Sequence, residues 1–150
     1  EILLAESSFR RGKSMLHNGS YKGAHEAFRQ AFELKSDEAE YRAHLLFTEF
    51  MLIPKNEHGH VQSKKRAREI FMELDDINTV LSEKDWLLTF LGVVSLGLGQ
   101  DRQAEGLFNE ALMANAQNTD AKRHLRLLRS RRKTATEAGQ GFFARLFGKK

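Results

Sequence analysis

The side chains that could do chemistry in this chain are few and scattered. It has no cysteine, so disulfides, thiolate metal sites and thiol nucleophiles are excluded. No G-x-S-x-G turn, phosphate loop or H-E-x-x-H helix occurs. His58-x-His60 pairs two histidines with no third ligand nearby. A zinc site needs at least three protein ligands, so the pair reads as part of a solvated loop. Asp75-Asp76 sets two carboxylates side by side at the expected end of a helix. The macrodipole disfavours negative charge there, so the pair reads as the start of a loop and not as an acid–base dyad. No catalytic residue, metal site or cofactor is expected, and the chain does not read as an enzyme.

Charge is more informative. The net +4 conceals an asymmetry: residues 1–121 hold 14 Lys and Arg against 19 Asp and Glu, whereas residues 122–150 hold 10 against the lone Glu137. Lys122, Arg123, Arg126, Arg129, Arg131, Arg132 and Lys133 crowd into about three helical turns. Residues 135–150 contain glycines and are expected to form a flexible tail. Within it, Phe142, Phe143, Leu146 and Phe147 would form one apolar stripe on a helix, beside Arg145. Such a tail could dock on a partner or on another part of this chain. It could lie weakly on an anionic membrane surface, or the basic cluster could touch nucleic-acid phosphates. The plain alternative is a solvated helix with a disordered tail. Nucleic acid is the poorer reading, because only charge supports it.

The elements that position these groups are helices. A single proline in 150 residues favours long helices, and this length suits one domain. No run of apolar residues is long enough to span a membrane, and a cytoplasmic location is expected. The chain starts at Glu1 with no signal-peptide pattern, which reads as a piece of a longer protein or a processed chain. Alanine, then phenylalanine four residues on, then a small or aliphatic residue three further, recurs as Ala24-Phe28-Ala31, Ala67-Phe71-Leu74 and Ala104-Phe108-Ala111. Gly12 and Gly92 stand at matching places upstream, and His17-Asn18-Gly19-Ser20 reads as a turn. Pro54 stops an apolar helix that begins near Ala39. The second alanine falls at Ala67 where regular spacing places position 58, so an insertion is expected around 53–61.

This A-x3-F-x2-A series resembles the second-helix signature of the tetratricopeptide repeat, a helical hairpin of roughly 34 residues. The resemblance covers about 5–134. It implies an all-α, alpha-alpha superhelix of three hairpins (about 5–38, 39–81 with the insertion, and 85–118) plus a capping helix at 121–134. Ser36-Asp37 would cap the third helix, and Thr119 or Asp120 the last.

In the family, the first helix of each hairpin faces a concave groove that holds a protein or peptide. Carried over, the lining would include Phe9, Lys13, Leu16 and His17, then Phe47, Phe50 and Met51, then Trp86 and Val93. Only Lys13 suits a clamp for a terminal carboxylate, and the aromatic set suits an apolar anchor or simply the core between hairpins. The terminal F-x-R-L-F-G-K-K resembles the ends of bacterial regulatory proteins that finish in such repeats. That would imply a cytoplasmic adaptor or scaffold. A secretion-type chaperone is similar in build but tends to be acidic.

Overall fold

The computed structural model describes residues 2–147; Glu1 and 148–150, with the two closing lysines of the basic end, lie outside them. Seven helices follow one another among the described residues: α1 (Ile2–His17), α2 (Tyr21–Leu34), α3 (Ala39–Leu52), α4 (Lys64–Leu81), α5 (Asp85–Gly97), α6 (Asp101–Ala114) and α7 (Thr119–Phe147). They pair as antiparallel hairpins α1–α2, α3–α4 and α5–α6, with α7 packed against α6.

The outer hairpins close on the same device. A Cβ on Gly12 would stand 2.5 Å from the Phe28 ring, and Gly92 lies equally tight against Phe108. Only a residue without a side chain lets those backbones approach, and the phenylalanine then fills the space between them. Both phenylalanines are fully buried. Gly19 and Gly99 make the two turns at φ +80° and +78°, where an L side chain is strained.

The middle hairpin differs. Leu46 stands where the others have glycine, and Phe71 is half-buried while its neighbour Ile70 is fully buried. The A-x3-F pattern therefore does not mark a core phenylalanine here. The inserted segment 53–63 separates α3 from α4 and is closed by a short bridge between Lys55 and Val61. The Lys55 ammonium donates to the carbonyls of Phe50, Met51 and Ile53 at 3.0, 3.3 and 2.8 Å, capping the end of α3, and sits 4.6 Å over the Phe50 ring. Val61 N–H donates to the Gly97 carbonyl at 2.8 Å, so the insertion is pinned to the third repeat. Arg66 donates to Glu49 at 2.7 Å and Arg42 to Glu73 at 2.7 Å, joining α3 and α4 at the surface.

Four expectations need correction. Asp75 and Asp76 lie inside α4, which runs to Leu81, so they do not begin a loop. Ser36 and Asp37 cap nothing: Glu38 precedes α3, and no side chain bonds its N-terminal amides. The start of α7 is capped by Asn118, whose Oδ1 accepts the Ala121 N–H at 2.9 Å. The same Asn118 donates to Asp85 at 2.8 Å and Thr89 at 3.0 Å, tying this turn to α5. Finally, residues 135–147 are helical: α7 continues unbroken to Phe147 through Gly139 and Gly141. Each glycine costs about 1 kcal/mol against alanine, but no proline interrupts and Ala135, Glu137, Ala138, Gln140 and Ala144 are good helix formers.

Candidate functional site

The first helices α1, α3 and α5 present a trough of about 560 Å³, closed at its far side by the start of α7. Phe47, Met51, Trp86 and Phe90 make its apolar wall, and Lys13, His17, Asp120 and Arg123 stand at its margin. Phe47 and Phe90 stack face to face at 3.9 Å, and Trp86 meets Phe90 edge-on at 5.5 Å. The Arg123–Asp120 pair at 3.1 Å leaves the Lys13 charge uncompensated by any ion pair among the described residues. Lys13 lies 5.0 Å over the Phe9 ring, which holds its stem in place.

His44 forms the floor. Its ring lies 4.8 Å from Phe9, 5.1 Å from Phe28, 4.8 Å from Trp86 and 5.1 Å from Phe90, so one imidazole touches aromatic rings of the first and third repeats. Nδ1 lies 2.8 Å from the Glu40 carbonyl, which places the proton on that nitrogen. Burial pushes the pKa down to about 4, with Lys13 adding to it and the Glu40 carbonyl opposing. The floor is therefore neutral at ordinary pH. Burial and the adjacent Arg123 also lower His124, which stacks on Phe108 at 4.9 Å.

Of the expected lining, Lys13, His17, Phe47, Met51 and Trp86 meet at the trough, together with Leu16 and Val93. Phe50 does not. It is 1% exposed and packs against Gly97 inside the central core. Phe9 is buried too, tilted against Phe28 and Tyr41, and meets the His44 ring edge-on. Sequence reasoning missed His44, Tyr21 and Phe90. For Phe90 a signal existed, since it lies one helical turn after Trp86; for His44 there was none, because α3 is buried on most of its circumference.

The basic cluster divides. Arg131 pairs with Asp101 at 3.7 Å and Arg132 with Glu105 at 2.9 Å, fastening α7 to α6. Arg126, Arg129 and Lys133 are in no ion pair among the described residues. A larger cleft of about 860 Å³ lies along this seam. It is bordered by the ion-paired side chains themselves, whereas the smaller trough offers aromatic surface, so the trough is the better candidate site. His58 and His60 sit in the insertion with rings 6.3 Å apart. Among the described residues no three potential metal ligands converge.

No family model matches the chain, and none of the curated proteins matches it. Among solved structures, the Arabidopsis OM64 TPR domain superposes with a TM-score of 0.60 at 15% identity, over 87% of this chain and 98% of that one. That likeness shows the fold, which is an all-α superhelix of tetratricopeptide-repeat type.

Proposed function

We propose that this repeat fold serves as a non-catalytic interaction module, holding a peptide or helix of a partner protein in the trough between α1, α3 and α5. The observation that carries the reading is the half-exposed Trp86 beside Phe90 and Met51, an aromatic ledge over a neutral buried floor. Aromatic residues in a desolvated recess supply most of the affinity at interfaces of this kind. The partner segment would bring an aromatic or aliphatic anchor, with an acidic residue placed toward Lys13. A role as adaptor or scaffold in bacterial cytoplasmic regulation is the finer form of the reading, supported by the likeness of the terminal F-x-R-L-F-G-K-K.

Capture of partners from native cells with the tagged chain, identified by mass spectrometry, supplies the ligand. Affinity is then measured for Trp86→Ala and Met51→Ala. Loss of Trp86 should weaken binding by roughly tenfold or more. If both variants keep the parent helicity and the parent Kd, the trough is not the binding site.

A further inference from the structure

We propose that the projecting half of α7 docks on an anionic lipid surface. From Arg129 to Phe147 every residue is exposed. The helix is about 43 Å long at 1.5 Å per residue, and it outruns α6, whose first residue Asp101 already pairs with Arg131. Leu125 and Phe143 are 18 residues apart (143 − 125), as are Leu128 and Leu146 (146 − 128), which at 3.6 residues per turn is five full turns. The face that buries Leu125 and Leu128 against α6 therefore continues past the end of the body as Phe142, Phe143, Leu146 and Phe147, which are 54%, 61%, 57% and 69% exposed.

The candidate occupants of this face include the chain's own trough, a second copy and an anionic bilayer. The chain's own trough is out of reach: His124 lines it, and Phe142 lies 18 residues (142 − 124) farther along the same unbroken helix, about 27 Å away. A second copy brings the same charge, since residues 122–150 carry 10 basic residues against one acid, and four side chains fall far short of the roughly 20–30 residues a side of a stable interface. An anionic bilayer answers both features. Its interface accepts a short apolar stripe, and its negative potential attracts the unpaired Arg126, Arg129 and Lys133 and the flanking Arg145. Docking would leave the trough free, so this proposal does not depend on what the trough binds.

The test is flotation of the full chain with phosphatidylcholine vesicles, with and without phosphatidylglycerol, at low and high salt. The chain should float with the anionic vesicles, less at high salt. Phe143→Ser and Phe147→Ser should each weaken partition roughly tenfold with unchanged circular dichroism. Met113→Ser, at an exposed apolar residue of α6, should float like the parent. No flotation, or equal flotation with neutral vesicles, overturns the proposal. So does binding that ignores both serine variants yet is lost with Arg126→Glu and Arg129→Glu and is matched by duplex DNA, which would mean a bare polyanion contact. A concentration-dependent dimer in sedimentation, abolished by Phe143→Ser in a chain that ignores vesicles, assigns the face to a second copy.

Discussion

The outer hairpins and the middle one solve the same packing problem with different chemistry. In α1–α2 and α5–α6 a glycine gives up its side chain so that a buried phenylalanine can bridge two close backbones. In α3–α4 that contact is gone. α3 and α4 pack less closely than the outer pairs, Leu46 and Ile70 join the central core, and surface pairs such as Arg66–Glu49 link the two helices. Close hairpins are held by shape, whereas the looser one relies on its neighbours: α4 packs more closely on α5 than on α3. A repeat can thus lose its internal lock and keep its place in the stack, because nearest-neighbour interfaces carry it.

The sharpest way to break this contrast is to truncate the equivalent phenylalanines. Phe28→Ala or Phe108→Ala should cost about 3–5 kcal/mol in urea unfolding, by lost burial and the cavity left behind. Phe71→Ala should cost only about 1–2 kcal/mol, since its ring is half-solvated already. Equal losses at all three sites would mean that the hairpins are alike after all.

A second lever sits in the middle repeat. His44 ionises near pH 4 when folded and near 6.5 when unfolded. Above 6.5 neither state carries the proton. As the pH falls from there, the unfolded chain is protonated first, so stability drops until the folded ring is protonated too, near pH 4. The total from this residue is about 3 kcal/mol. The slope should flatten in His44→Leu. A slope that persists undiminished would place its origin elsewhere, with His124 the next group to examine.

The smallest effect should come from the surface pairs. Arg66→Ala should lower stability by less than about 1 kcal/mol, and the difference should shrink further in high salt, because both partners are solvated. A loss comparable to that of Phe28→Ala would show that ions, not neighbouring repeats, hold the looser hairpin.

Much of this architecture was legible in the chain. The alanine and phenylalanine spacing, with Gly12 and Gly92, located the two tight hairpins, and Pro54 with the late Ala67 located the insertion. What escaped were features decided by three-dimensional context. Phe50 looks like a lining residue by position, but Gly97 opens a socket for it from a helix far along the chain. Phe9 is drawn inward by Tyr41 and Phe28. Gly139 and Gly141 argued for a loose tail, yet two helix-weakening residues do not outweigh an otherwise favourable run without proline. The caps were misplaced because serine and aspartate propose a cap, whereas backbone geometry at Asn118 realises one.

The position of the His44 ring has one more consequence. Repeat proteins usually fray from their ends, since each unit feels only the next. Here a single side chain of the second unit leans on Phe9 and Phe28 on one side and on Trp86 and Phe90 on the other, so the first and third units share a keystone. Removing either flank strips half the support from that ring. This three-unit stack should melt in one step.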